Sequence, residues 1–526
     1  MHRRQFLQYT GMAAGAAAFP FNGFSLNTMP RLPLLQALAA AGNPYNRVLV
    51  LVQLTGGNDG LSTFIPLDQY SKLAQVRQNV LIPETQVLPL TGVSNSGFHP
   101  KMTHMRGLYN DGLLSIVQNV GYPNQDYSHF RSTDIWMSGS DANEYIETGW
   151  LGRYLQSEYP TYPNGFPSAD MPDPLAVQIG SVISLALMSS AGPMGFAISD
   201  ATAYYQFIND VVEPAPNTPY GDELSYIRLI AQQAQVYYNS IKDAAGQGQN
   251  LSDKYPAAGE NFLADQLKIV AQLIDGGLKT PIYIVSLDGF DTHSEQVDTT
   301  FGNTEGVHAQ LLFQLSEAVG AFQDDLQKLG LDERVAGMTF SEFGRTIAAN
   351  ASNGTDHGAA APLFVFGKNV IPGVIGDNPN IPADVNLSDD LPMQYDFRSV
   401  YASALQDWFG IENTEDLLFD QYDILPIFRA PISGTHSTSA ASGIAVRNFP
   451  NPFRGFTTIA FTLPQSGRIV IEVLDQQGRL LDTAADRYFE SGEHQVAYRN
   501  TQLPAGQYVY RLRVGERVVN RQMLVF

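Results

Sequence analysis

Two aspartate–histidine pairs and a lone aspartate stand just beyond apolar runs in this sequence. Asp288-Gly-Phe-Asp-Thr-His293 follows one run, Asp356-His-Gly358 lies a short way past another, and Thr55-Gly-Gly-Asn-Asp-Gly60 follows a third. Carboxylate oxygen and imidazole nitrogen are the donors divalent cations take when no thiolate is offered, and the chain has no cysteine. The pattern nominates Asp59, Asp291, His293, Asp356 and His357 as ligands of divalent metal ions, with zinc, calcium, magnesium and manganese all open. Two such ions could clamp the attacking and leaving oxygens of a displacement and lower the pKa of a hydroxyl or water. Each motif alone has a plain reading, because a turn aspartate commonly bonds its own backbone. Their joint placement is what points to a site.

Other polar residues divide between function and structure. His129, within Tyr127-Ser-His-Phe-Arg-Ser-Thr-Asp134, reads as a metal or substrate contact or as a packing residue. His99 precedes a proline and reads as a turn residue or a wall of the site. Arg345 and Arg131 are candidate anion clamps, since a guanidinium meets phosphate or sulfate oxygens in a bidentate way; for Arg131 a structural ion pair is the stronger reading. His308 opens a helical segment, and Trp136 and Trp150 read as core. Gly56, Gly57 and Gly60 could cradle an anion with backbone N–H groups. The G-x-G-x-x-G fingerprint is absent, which leaves nicotinamide binding without support.

These residues need a frame to hold them together. Val48-Leu-Val-Leu-Val-Gln-Leu54 is an apolar run of strand length, as strands buried on both faces tend to be. Further strands are predicted at Leu113–Val120, Pro281–Leu287, Arg334–Phe340 and Pro362–Phe366. Helices are predicted over Asp222–Ala244, Phe262–Asp275 and Val307–Gly330; in the last, Leu311, Leu315, Val319 and Phe322 recur at helical spacing. Strands alternating with helices imply an α/β fold whose sheet is covered by helices on both faces. Ligands in such folds bind beyond the carboxyl ends of the strands, which is where the candidate ligands fall.

Composition sets limits on function. Acidic residues outnumber basic ones 52 to 31 over 526 residues, a formal charge of −21. That excess argues against a nucleic-acid partner. It does not exclude an anionic substrate, because a bound metal can reverse the local field. Residues 444–526 differ from the rest: they hold ten Arg, no Lys and seven acids. The composition of 431–443 is that of a linker. Beyond it, Thr458–Leu463, Arg468–Asp475, His494–Tyr498, Gly506–Val514 and Arg517–Phe526 alternate as the strands of a small antiparallel β-sandwich would. No segment is long and apolar enough to span a bilayer, so the mature protein is expected to have no transmembrane span.

Both ends carry resemblances. Arg3-Arg4-Gln5-Phe6-Leu7 followed by Gly11–Phe19 resembles a twin-arginine export signal, with residues 1–45 as signal and leader. Asn448-Phe-Pro-Asn-Pro-Phe453, Val473-Leu-Asp-Gln-Gln-Gly-Arg479, Gly492-Glu-His494 and Leu503-Pro-Ala-Gly-Gln-Tyr508 resemble the type A sorting domain of the type IX secretion system. The two resemblances imply the twin-arginine and type IX machineries as partners. They also imply export through the periplasm and across the outer membrane, to the cell surface or beyond. His494 then belongs to a sorting module and is structural.

The middle of the chain, residues 46–430, resembles the family catalogued as domain of unknown function 1501. The resemblance is carried by Leu54-Thr-Gly-Gly-Asn-Asp-Gly60, Phe98-His-Pro100, Ser128-His-Phe130, Gly149-Trp-Leu-Gly-Arg153, Gly289-Phe-Asp-Thr-His293, Ser341-Glu-Phe-Gly-Arg345 and Asp356-His-Gly358. It implies an alkaline-phosphatase-like sheet and a site with one or two metals. Asp59 matches that superfamily's first-strand aspartate, Asp356-His357 its adjacent pair, and Asp291 with His293 a pair of tighter spacing than usual. The resemblance places a nucleophile at the start of the helix after the second strand, where the dipole and free N–H groups favour an anion. Ser128 falls there, with Ser132 and Thr133 as rivals and an ordinary N-cap serine as the plain alternative. The absence of cysteine excludes a formylglycine nucleophile made from cysteine. No histidine near the end of this region supplies a further ligand, because His436 lies in the linker. The expectation is an exported metal-dependent hydrolase of phosphate or related anionic esters, with Ser128 attacking and Arg345 neutralising charge. The alternative is a non-catalytic surface binding or scaffold protein on the same fold.

Overall fold

A strand with no polar side chain before its sixth residue is stable only where both of its faces are covered. In the computed structural model that run becomes β1 (Val48–Thr55), buried up to Leu54. The structure describes residues 46–168, 171–198, 236–411 and 413–429, together with most of 446–525. The chain divides into two compact units, Met1–Pro431 and Ile432–Phe526. The predicted signal at 1–45, the linker and the first part of the helix expected at 222–244 lie outside the described residues.

The first unit is built on a nine-stranded sheet. Its strands are β1, β2 (Leu114–Gly121), β3 (Ala176–Ile179), β4 (Phe196–Ile198), β5 (Ile282–Asp288), β6 (Val335–Phe340), β9 (Ala361–Phe366), β10 (Gly373–Ile375) and β11 (Tyr395–Asp396). A separate two-residue hairpin pairs β7 (Gly344–Arg345) with β8 (His357–Gly358). The sheet runs β10-β2-β9-β6-β1-β5-β3-β4, and β11 pairs with β2. β1 is parallel to both neighbours, with Thr55 opposite Asp288 on β5 and Gln53 opposite Phe340 on β6. These three strands therefore end along one edge, and the loops leaving them are neighbours. β9 runs antiparallel to β6 and β2, so the sheet is mixed.

The two faces of β1 feed different cores. Leu49 and Leu51 pack with residues of α3 (His129–Ser138), α4 (Trp150–Glu158) and α7 (Phe397–Ser403). Trp136 stacks on Phe397 at 4.4 Å and Trp150 on Tyr401 at 4.1 Å, which makes both tryptophans core residues. Val48, Val50, Val52 and Leu54 pack on the opposite face with α5 (Phe262–Asp275) and α6 (Val307–Leu329). The stripe Leu311, Leu315, Val319 and Phe322 of α6 is buried there. Two short helices complete the labels, α1 (Gly60–Thr63) directly after β1 and α2 (Thr103–Asn110) beside α6.

The second unit is a sandwich of a three-stranded and a four-stranded antiparallel sheet around one apolar core. Two of its strands, Val446–Phe449 and Leu480–Phe489, do not announce themselves in sequence. The second is an edge strand exposed along most of its length, so it lacks the alternation that marks a half-buried strand. His494 donates from Nε2 to the Glu490 carbonyl at 2.7 Å and lies 5.0 Å from the Phe489 ring.

Two buried histidines of the first unit make its stability depend on pH. His99 and His308 are almost fully buried. Burial lowers the His99 pKa to about 3 and that of His308 to about 4. In the unfolded chain both take a proton near pH 6.5. Between that pH and the folded values the unfolded state binds more protons, so stability falls as pH falls, by about 1.4 kcal/mol per unit for each histidine. Urea midpoints measured from pH 7 to 4.5 should drop, and the drop should shrink in His308→Gln. A midpoint independent of pH over that range would contradict this assignment.

Candidate functional site

The loops leaving β1 and β5 and the β7–β8 hairpin meet around one guanidinium. Arg345 has no exposed side-chain surface. Its Nε donates to the Gly57 carbonyl at 2.7 Å and its Nη1 to the Thr355 carbonyl at 2.9 Å. Nη2 donates to the Phe290 carbonyl at 2.9 Å, to Asp291 Oδ1 at 2.7 Å and to the Gly56 carbonyl. Gly56 and Gly57 have φ of +122° and +86°. A Cβ on Gly56 would lie 2.3 Å from the Asp291 nitrogen, and one on Gly57 would lie 2.4 Å from the Phe343 ring. Glycine is what lets the end of β1 close onto Asp291.

Around Asp291 three imidazoles converge. Asp291 Oδ1 is 3.2 Å from both His293 Nε2 and His357 Nε2, and Oδ2 is 3.3 Å from His129 Nε2. The two Nε2 atoms of His293 and His357 are 2.9 Å apart. One ligand atom each from His129, Asp291 and His357 lies within 4.8 Å of the others. Each ring is held from behind. His357 Nδ1 is 2.8 Å from the Tyr127 carbonyl, His293 Nδ1 is 2.8 Å from Asp356 Oδ1, and His129 Nδ1 is 2.9 Å from Glu342 Oε1. A carbonyl and an ionised carboxylate only accept hydrogen bonds, so Nδ1 carries the proton in His357 and His293, and an ionised Glu342 would set the same tautomer in His129. In the neutral rings every Nε2 then presents a lone pair toward Asp291.

That arrangement suits a cation. Two lone pairs facing each other at 2.9 Å, beside a carboxylate, repel unless positive charge stands among them. Histidine metal ligands characteristically donate their other N–H to a carboxylate or carbonyl, as these three do. Burial works to raise the Asp291 pKa, but the bond and charge of Arg345 outweigh it and hold it below the usual carboxylate value. Burial also opposes ionisation of Asp356, where the bonds from His293 and Asn350 prevail and lower its pKa. Burial lowers the pKa of His357, which favours its neutral, ligating form.

The structure thus brings Asp291, His293, Asp356, His357 and His129 together, with Arg345 beneath them. It does not bring Asp59 to them. Asp59 is fully buried, and its Oδ2 accepts from Arg77, from Ser62 Oγ at 2.6 Å and from Gln296 Nε2 at 2.6 Å. Burial raises its pKa, and Arg77 and His308 more than reverse this. The reason it turns away is positional: it stands at the N-cap position of α1 with no side-chain capping bond and pairs with the buried Arg77. Through Gln296 it still reaches them indirectly. Gln296 Oε1 accepts from Thr355 at 2.7 Å and from Thr292 at 3.3 Å, the residues flanking Asp356 and His293.

The remaining candidates are placed as follows. Ser128 is the exposed N-cap position of α3, but its side chain makes no capping bond. It stands between Tyr127, whose carbonyl holds His357, and His129. Ser132 is buried and bonded to Tyr122 and to the Glu342 carbonyl, which leaves it closed to substrate. His99 lies apart, accepting from the Lys101 N–H at 3.2 Å, with its ring 6.4 Å from that of His308. Arg131 forms no ion pair; it donates to the carbonyls of Asp141, Ala142 and Glu144. Arg345, read from sequence as an anion clamp, has its donors committed to carbonyls and Asp291, so it braces the site from below. Sequence reasoning passed over Glu342 and Gln296. A carboxylate one residue past the buried strand β6 was the available signal for Glu342; nothing local marks Gln296.

With the geometry in hand, comparison with known proteins is informative for both units. Residues 244–418 match a family model described as a protein of unknown function (DUF1501), and residues 447–525 match the secretion system C-terminal sorting domain. The chain thus joins a DUF1501 segment to a type IX sorting domain, which marks it for export to the cell surface or for secretion. No helix among the described residues is long and apolar enough to cross a membrane. No curated protein matches the chain. Among solved structures, it is similar to dimeric latent PorU from Porphyromonas gingivalis at 20% identity, over 16% of this chain and 9% of that one, with a TM-score of 0.14. It therefore spans only a small part of that protein's length. It is also similar to a protein in the alkaline phosphatase superfamily from Vibrio parahaemolyticus, at 10% identity over 88% of this chain and 91% of that one, with a TM-score of 0.34. A sulfatase from Pseudoalteromonas sp. matches at 10% identity over 90% and 88%, with a TM-score of 0.31.

Asp59→Ala tests the buried pair. Removing one partner of a buried ion pair leaves the other charge uncompensated and costs about 3–5 kcal/mol. Chemical denaturation should show a loss of that order. A loss below about 1 kcal/mol would mean that Asp59 is not held by Arg77 in solution.

Proposed function

We propose that this chain is an exported hydrolase of phosphate or related anionic esters that uses one divalent cation held by Asp291, His293, His357 and His129. The reading is carried by one observation: three imidazoles, each with Nδ1 within hydrogen-bond distance of a carbonyl or carboxylate, direct three Nε2 atoms at one carboxylate. Three nitrogens and one oxygen favour zinc or manganese over calcium or magnesium. When bound, such an ion supplies a concentrated positive charge that polarises an ester and lowers the pKa of a nearby hydroxyl or water.

The chain's own residues do the rest. Glu342, Asp356 and the Tyr127 carbonyl hold the three rings in one tautomer and one orientation. Arg345 keeps Asp291 ionised. The Ser128 hydroxyl, free of a capping bond, is the group placed to attack, beside the leading N–H groups of α3 that helix geometry leaves without helical partners. Asp59 and Gln296 keep the two ligand loops in register.

Metal-free protein titrated calorimetrically with zinc or manganese should bind one ion per chain and gain thermal stability with its concentration. His357→Ala should abolish the binding, and Glu342→Gln should weaken it about 10–100-fold, as loss of an outer partner does. The loaded protein should turn over small phosphate or sulfate esters. No uptake of zinc, manganese, calcium or magnesium and no turnover would remove the enzyme reading and leave a non-catalytic surface protein.

A further inference from the structure

The walls of the site differ from those of a site for a highly charged ligand. The segments that surround it, 122–148, 288–306, 341–360 and 377–394, contain sixteen acids, no lysine and two arginines, Arg131 and Arg345. Both arginines are buried and turned onto backbone carbonyls. None of these segments therefore offers a free cation of its own to a second anionic group on a substrate; Glu305 and Asp141 pair with Lys101 and Arg398, and the remaining acids repel such a group.

What the same walls expose is aromatic. Phe130, the residue after His129, is 85% exposed, and Tyr127, the residue before Ser128, is 45% exposed. A phenylalanine left this exposed beside His129 keeps its ring available to an apolar partner. Tyr127 is tied down through its hydroxyl to Asp390. Tyr145, 77% exposed, lies against the Arg131 guanidinium at 4.1 Å. The rings of Tyr127 and Tyr145 are thus held in place without being covered, as a stacking surface has to be.

We propose that the site selects esters carrying a single anionic group on a planar, apolar alcohol, and that Phe130 and Tyr127 hold that alcohol by stacking. The inference rests on the hydrolase reading above and adds the class of substrate to it. Polyanionic esters are disfavoured, because one bound cation answers one anionic group and the rim repels the others.

The test is calorimetric binding of three probes to the zinc-loaded full chain carrying Ser128→Ala, which keeps the ester bonds of the third intact: methylphosphonate, phenylphosphonate and fructose 1,6-bisphosphate. Phenylphosphonate should bind about tenfold more tightly than methylphosphonate, and the bisphosphate no better than methylphosphonate. In Phe130→Ala the difference between the phenyl and methyl probes should disappear, while Phe130→Tyr should keep it. The exposed position makes both variants safe for folding. Equal binding of the phenyl and methyl probes, or tightest binding of the bisphosphate, would overturn the substrate class while leaving the hydrolase reading in place. Failure of a zinc-loaded chain to bind any phosphonate would overturn both.

Discussion

A guanidinium with no access to water holds this site together. The Arg345 guanidinium is a rigid fork of donors, and its three nitrogens bond the carbonyls of Gly56, Gly57, Phe290 and Thr355 and the carboxylate of Asp291. Those acceptors belong to three loops that leave different parts of the fold. The Gly56, Gly57 and Thr355 carbonyls belong to buried residues and would lose this partner if the fork were absent, and buried polar groups without partners are costly. Burial lowers the Arg345 pKa, and the bond and charge of Asp291 act against that fall. The arginine thus needs Asp291 ionised, and Asp291 is the carboxylate on which the histidines converge.

From that constraint the remaining geometry follows. With Asp291 fixed, His293 two residues on and His357 across the β7–β8 hairpin can face it only along limited directions. The groups behind them, Asp356 and the Tyr127 carbonyl, choose those directions by accepting Nδ1–H. Glu342 does the same for His129 from the start of α3, while also accepting the Gly56 N–H at 2.8 Å. The buried Asp59–Arg77 pair and Gln296 form a second layer that sets the spacing of the ligand loops. The sheet supplies the rigidity, since β1, β5 and β6 end side by side and are covered on both faces.

Much of this was legible in the sequence, for physical reasons. Buried strands are apolar runs, so the five predicted central strands match β1, β2, β5, β6 and β9 to within a residue or two at each end. The Asp291/His293 and Asp356/His357 pairs are visible because the loops that present them are short. Strand direction was not legible, since an antiparallel β9 has the same apolar content as a parallel one. Asp59 was misdirected by its position after β1: its partner Arg77 is 18 residues on, and no local pattern records that pairing. Arg345 was taken for an anion clamp because its partners are backbone carbonyls, which every residue type supplies. The charge excess, read at first as a statement about partners, now has a local meaning, since acids crowd the walls of a site whose two arginines face inward.

The central claim is that the three Nε2 atoms and Asp291 form one coordination shell. X-ray absorption at the zinc edge, on protein loaded with one equivalent of zinc, reads that shell directly. The account predicts two or three imidazole nitrogens at about 2.0–2.1 Å with carboxylate oxygen completing the set, and loss of an imidazole contribution in His293→Ala. A shell of oxygen atoms alone, or a spectrum unchanged by that substitution, would contradict it.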